Sequence, residues 1–308
     1  MFIEIIRITH DGERGRKMKL VNFKKGQDRF LGVNTEQGIL NLNKAGQKFD
    51  LKIPARMIDV IQQNDLTSIQ QLVDRVQNED QSLFENEEEM EFLPSVIRPE
   101  KIICVGLNYV SHVEEANIQD IPKTPVLFSK YGNALAAHNE IIKLPKVCKK
   151  IDYEAELVMV MGKEAKDVSE EDALSYVFGY STGNDLSARD LQFTTSQWLL
   201  GKSLDGFAPI GPYLVTADEV DPTHLHIETK VNGEVRQSSN TKYMIFNCAA
   251  IISYISKHMT LKPGDLIFTG TPEGVILGYP EDQQQWLKSG DVVEVTIEKV
   301  GTLRNMLE

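Results

Sequence analysis

The sequence has only three cysteines in 308 residues, Cys104, Cys148 and Cys248, and their spacing pairs none of them. That excludes a disulfide framework and a cysteine-rich zinc centre, and it suits a reducing cytoplasm. No apolar run approaches the ~18 residues of a membrane span. The opening MFIEIIRITHDGERGRKMK lacks the basic, apolar and small-residue succession of a secretion signal. Positive charge is also in deficit. Lys and Arg number 33 against 45 Asp and Glu, a formal net charge of −12, which argues against a nucleic-acid partner. What remains is ordinary for a globular chain: 41% hydrophobic and 25% charged residues exclude wholesale disorder. The length suits a sizeable core and, at roughly 100–200 residues each, about two domains.

The acidity is concentrated. Glu79, Asp80, Glu85, Glu87, Glu88, Glu89 and Glu91 fall between Asn78 and Phe92 with no Lys or Arg among them. Such a block reads as a solvated loop or helix face, and Pro94 and Pro99 follow it. The expected organisation is a small N-terminal α/β appendage, residues 1–98, with an acidic linker at 78–92, and a larger unit, residues 99–308. In the appendage, Phe2–Ile8, Lys19–Lys24, Arg29–Val33 and Gly38–Leu42 read as short strands punctuated by glycines. Ala55–Gln63 and Ser68–Val76 read as amphipathic helices. No motif there carries chemistry.

From Lys101 the chain is β-rich. Strands are expected at Ile102–Val105, Val126–Ser129, Glu154–Met161, Tyr176–Thr182, Tyr213–Thr216, His226–Val231 (with a hairpin turn at Gly233), Asp265–Thr269 and Asp291–Lys299. Helices are expected only at Glu170–Tyr176, Ala188–Leu200 (capped by Ser187) and Tyr243–His258. Strands and helices do not alternate regularly, so the fold class is α+β and β-rich, a mixed, mostly antiparallel β-roll or barrel.

Two short motifs mislead. Gly179-Tyr180-Ser181-Thr182-Gly183 matches the nucleophile elbow, but a turn rather than a helix follows the serine. Gly201-Lys202-Ser203 resembles the end of a phosphate-binding loop, yet Ser196 stands where that loop needs its first glycine.

The informative residues are carboxylates. Glu154 and Glu156 lie two apart on a strand and so share one face. Buried together they repel and cost several kcal/mol without a counter-charge. A divalent cation removes that penalty, and oxygen-only ligands suit Mg²⁺ or Mn²⁺. Alternatively both face solvent on an edge strand. Asp185 is a third candidate, or a plain turn residue. His112 and Glu115 lie three apart, one face of a helix, where a carboxylate beside imidazole makes a general base. Thr269-Gly270-Thr271-Pro272-Glu273-Gly274 follows a strand as a tight turn or an anion-binding loop.

Taken together, these segments resemble the fumarylacetoacetate hydrolase family. The marks are G-x-N-Y-x-x-H-x-x-E (Gly106 to Glu115), D-Y-E-A-E (Asp152 to Glu156), N-D-x-S-A-R-D-x-Q (Asn184 to Gln192), G-K-S-x-D (Gly201 to Asp205) and T-G-T-P-x-G-V (Thr269 to Val275). The resemblance implies a mixed β-roll, usually a homodimer. It implies Mg²⁺ or Mn²⁺ held by Glu154, Glu156 and Asp185, and a small 2-oxo acid chelating the metal. Lys202 would neutralise enolate charge. Lys130, Gln192, Gly270, Thr271 and Tyr109 would bind substrate, and His112 with Glu115 would activate water on a lid segment. Val105-Gly106-Leu107 stands where the larger eukaryotic branch has a further metal-binding Asp, so water or substrate must complete the octahedron. Ile276-Leu277 precede Gly278, where many bacterial members already have glycine. Tyr131 and that insertion are further candidates for the distal pocket.

The activity so implied is metal-dependent hydrolysis of an acylpyruvate to pyruvate and an acid. Oxaloacetate decarboxylation comes next, then isomerisation of a 2-hydroxy-diene-dioate. A non-enzymatic metal-binding scaffold is the contrasting alternative.

Overall fold

The computed structural model describes residues 18–76, 81–115 and 120–308. The expected strand at Phe2–Ile8, with Glu79 and Asp80, lies outside the described residues.

Ala155–Met161 and Val177–Asn184 are buried along their whole lengths. Strands covered on both faces need no alternation, and these two form the middle of a mixed sheet of eleven strands among the described residues. Tyr213–Thr216 and Lys19–Lys25 continue it on one side. Leu266–Phe268, Ile102–Gly106 and Val126–Lys130 continue it on the other. A second, five-stranded sheet contains His226–Val231, Val292–Ile297 and Gly301–Leu307. Burial alternates strictly along Val292–Ile297, the mark of one packed face and one open face. Its inward residues Ile227, Val293 and Val295 share one core with Leu157 and Met159 of the first sheet and Ile251 of the helix Cys248–His258. The result is the α+β mixed β-fold expected.

Around Lys19–Lys25 the first sheet gathers Asp28–Thr35, Gly38–Asn41 and Phe84–Glu85. The helices Met57–Gln63 and Thr67–Val76 bury Val60, Ile69 and Leu72 in a core that also holds Leu20, Val158 and Phe268.

Four local expectations need correction. The strand expected to reach Leu42 ends at Asn41, whose side chain accepts from the amides of Asn43 and Lys44 and starts a helix, Leu42–Lys48. The helix expected over 188–200 is two short ones, Arg189–Gln192 and Leu199–Lys202. Ala188 instead pairs with Ile151, and Ser187 donates to the Asp185 carbonyl rather than capping. Between the two helices, Thr194 donates to the Leu191 carbonyl and Thr195 accepts from the Gln197 amide, local bonds that compete with helical ones. The helix expected from Tyr243 starts only at Cys248, capped by Asn247. Finally, the acidic block is not uniformly solvated. Glu85 is buried and accepts from Lys25 Nζ at 2.6 Å, Lys44 Nζ at 2.7 Å and Asn41 Nδ2 at 2.9 Å. Ser181, the misleading serine, lies inside Val177–Asn184 and donates to the Tyr213 carbonyl.

Candidate metal centre and active site

Strand register builds the site. Ala155–Met161 runs antiparallel to Val177–Asn184 with Ala155 opposite Asn184 and Glu156 opposite Gly183. Just past that pairing the Asp185 amide donates to the Glu154 carbonyl at 2.9 Å. The three carboxylates of Glu154, Glu156 and Asp185 are therefore delivered to one point. All three are buried, and each offers an oxygen within 4.8 Å of the others. Parallel pairing of Leu266–Phe268 with Ile102–Gly106 carries two further segments to the same end of the sheet. One is the helix Val110–Glu115 and the other is the loop after Phe268.

The charges around the three acids are unequal. Glu154 pairs with Lys202 at 2.7 Å and Arg189 at 2.8 Å. Burial would raise its pKa, but those two cations hold it below the usual carboxylate range. Asp185 pairs with Lys202 at 3.0 Å and Lys130 at 2.5 Å. Glu156 pairs with no cation among the described residues; one of its oxygens accepts from the Gly270 amide at 2.7 Å. Burial, reinforced by the charges of Asp185 and Glu154, pushes the Glu156 carboxyl well above its ordinary value. An all-oxygen trio with one uncompensated carboxylate is the donor set of a hard divalent cation, so the residues fit the metal.

Gly270 must be glycine. Its φ is +96°, and a Cβ there would lie 2.7 Å from the Asn108 Cβ. Its amide then reaches Glu156, while Thr271 lines the adjoining cavity.

That cavity, of about 410 Å³, has Glu154, Glu156, Arg189, Gln192 and Lys202 on its polar side. Leu107, Phe128, Trp198 and Leu277 form its apolar side. His112 and Glu115 line it too, with Nδ1 of His112 3.3 Å from Oε2 of Glu115. Glu115 Oε1 also accepts from the Gly274 amide at 2.9 Å. Contact between Glu115 and the residue after Ile276-Leu277 is so close that a Cβ on Gly278 would fall 2.0 Å from the Glu115 carboxyl carbon. Glu115 thus sits against Nδ1 of His112, an arrangement in which a carboxylate can fix the orientation of the imidazole ring.

The structure thus brings His112, Glu115, Lys202, Gln192, Thr271, Glu154 and Glu156 to one cavity, with Asp185 in their carboxylate cluster. Four other candidates lie off its wall, among them Gly270, whose amide is taken by Glu156. Lys130 sits behind Asp185, donating also to the carbonyls of Leu186, Phe207 and Lys202. Tyr109 is buried with its hydroxyl unpartnered among the described residues. Tyr131 is exposed.

Sequence reasoning gave no role to Arg189 or Asp152, although both stand inside quoted motifs. Asp152 is fully buried. Its carboxylate accepts from Arg189 at 2.9 Å and from the amides of Ile276 and Leu277. Gln237 was missed as well, and nothing in its sequence context marks it. Its side chain joins the Ala155 amide to Thr271 and the Pro272 carbonyl.

Comparison with known proteins agrees with this geometry. Residues 101–308 match the fumarylacetoacetate hydrolase C-terminal family. A Dictyostelium discoideum protein, named as a fumarylacetoacetate hydrolase domain-containing protein 2 homolog, is 44% identical over 91% of this chain and 92% of its own. A human protein named as a mitochondrial oxaloacetate tautomerase is 39% identical over 94% and 91%. The structure of a fumarylacetoacetate hydrolase from psychrophilic Exiguobacterium antarcticum superposes with a TM-score of 0.80, at 34% identity over 94% of this chain and 99% of that one. No described helix is long and apolar enough to cross a membrane. The chain belongs to the fumarylacetoacetate hydrolase family and is an enzyme of that family, built around a buried acidic metal-binding triad.

Proposed function

We propose that the protein interconverts the enol and keto forms of a small 2-oxo acid of the oxaloacetate type, with Mg²⁺ or Mn²⁺ at Glu154, Glu156 and Asp185. The observation that carries this reading is that a base, His112, and an ammonium, Lys202, line the same cavity as the triad. Relatives spanning more than nine-tenths of this chain, from human, rat and Xenopus laevis, are named oxaloacetate tautomerases.

A bound divalent cation would supply a positive charge beside the enolate oxygen. The chain's own residues do the rest. In the keto-to-enol direction His112, oriented by Glu115, takes a proton from C3 as the C2 carbonyl becomes an enolate. Protonated His112 then gives that proton to the C2 oxygen, completing the enol, and the reverse direction takes it from that oxygen and returns it to C3. Lys202 stays an ammonium. Burial alone would lower its pKa, but Asp185 and Glu154 outweigh that and raise it, so its charge faces the enolate. Arg189 and Gln192, joined at 2.9 Å, line the cavity where the C1 carboxylate needs donors.

Acylpyruvate hydrolysis is the second reading, favoured by the apolar cavity side of Leu107, Phe128 and Trp198, which suits an acyl group. A single experiment separates the two. Loss of the oxaloacetate enol and release of pyruvate from acetylpyruvate are followed side by side, with Mg²⁺, Mn²⁺ or EDTA. Metal-dependent enol loss without acetylpyruvate cleavage supports the tautomerase. Cleavage of acetylpyruvate as the faster reaction replaces it with the hydrolase.

A further inference from the structure

The helix carrying the base is described over Val110–Glu115. A helix of a few turns is marginal in water on its own, so its position depends on contacts outside it. Two of those contacts reach the loop after Phe268. One is the Gly274 amide to Glu115. The other is Ser111, whose hydroxyl donates to Glu273 Oε2 at 2.7 Å.

The loop is itself anchored. Gln237 Nε2 donates to the Thr271 hydroxyl and the Pro272 carbonyl, each at 2.9 Å, while Gln237 Oε1 accepts from the Ala155 amide at 3.0 Å. Ala155 stands between the two glutamates of the triad. A continuous set of bonds therefore runs from the metal-ligand strand through Gln237 and the loop to Glu273, then to the residue next to His112. Neither Ser111 nor Glu273 lines the cavity. In the motifs that mark the family, both fill positions left open, the second x after N-Y and the x of T-P-x-G.

We propose that Ser111 and Glu273 are positioning residues whose hydrogen bond holds His112 and Glu115 in register with the triad. The bond acts through geometry alone: neither group touches substrate or gives up a proton. A hydrogen bond to a charged group is worth about a tenfold change or more when removed. Correct placement of a base matters on a sub-ångström scale.

The inference rests on the catalytic reading above, and its test is arranged to fail separately from it. Ser111→Ala and Glu273→Ala each lower kcat for enol–keto conversion about tenfold, with divalent-metal affinity unchanged. The double variant falls no further than either single one, because the two side chains form one bond. Ser111→Thr and Glu273→Gln, which keep a donor and an acceptor, restore the rate. Amide hydrogen exchange across 110–115 speeds up in Glu273→Ala with no substrate present. Multiplying losses in the double variant, full activity in Glu273→Ala, or metal affinity falling in step with kcat would overturn the pairing. Unchanged exchange in Glu273→Ala would overturn it whatever the substrate. Faster exchange in a protein that turns over neither oxaloacetate nor acetylpyruvate would sustain the pairing, and the catalytic reading would fall.

Discussion

Two buried acids in one sheet system have opposite surroundings. Glu85, near the N-terminal edge, receives two lysine ammoniums and an asparagine amide. Burial would raise its pKa, but those bonds outweigh it and hold the carboxyl down to about 2. Glu156, at the triad, receives one backbone amide and faces two further carboxylates, and its carboxyl is pushed up. Both are almost sealed from solvent. Burial therefore does not mark the functional acid; charge balance does. At Glu85 the chain's own lysines balance a lone carboxylate, which is structural; in the triad Glu154 and Asp185 are paired as well, but Glu156 has no cation of its own among the described residues. Where a carboxylate is left over, an ion from outside is needed.

The comparison breaks first at Glu156. Glu156→Gln is expected to abolish metal-dependent turnover, a loss of about a thousandfold or more, and to weaken Mn²⁺ binding in a calorimetric titration. The metal-free protein keeps or gains thermal stability, since the crowding of three buried carboxyl groups is relieved. Lys202→Ala comes next. It costs about 10²–10³ in kcat, measured under saturating metal, because a cation beside the enolate is lost. Glu85→Gln is the mirror image: stability to urea falls by about 2 kcal/mol while kcat of the folded protein stays as it was. The smallest effect is on acid tolerance. Glu85 is ordinarily ionised above about 4.5 and here down to about 2, so its stabilisation is present above 4.5 and drains away as pH falls toward 2. Acid unfolding of Glu85→Gln followed by circular dichroism should lack that component.

Much of this was legible in the sequence, for identifiable reasons. Glu154 and Glu156 share a face because strand period is two, and His112 and Glu115 meet because helix neighbours lie three apart. Short, largely apolar segments gave Ala155–Met161 and Tyr213–Thr216 nearly to the residue. Elements decided by single side chains were not legible. The Asn41 cap and the Thr194–Thr195 interruption turn on local hydrogen bonds that no hydrophobic period reports. Glu85 was read with its acidic neighbours as solvated, because its lysines, Lys25 and Lys44, come from a strand and a helix distant in sequence. Gln237 was invisible for the same reason: Thr271 and Ala155, which it joins, are 34 and 82 residues away.

The most direct test of the central claim is the rate of oxaloacetate enol loss in the wild type, followed by ultraviolet absorbance, with Mg²⁺ and with EDTA, and with Glu156→Gln and Glu85→Gln alongside. The account predicts acceleration above the spontaneous rate that EDTA removes, that Glu156→Gln lacks and that Glu85→Gln retains. Acceleration that survives EDTA, or that Glu156→Gln retains in full, would contradict it.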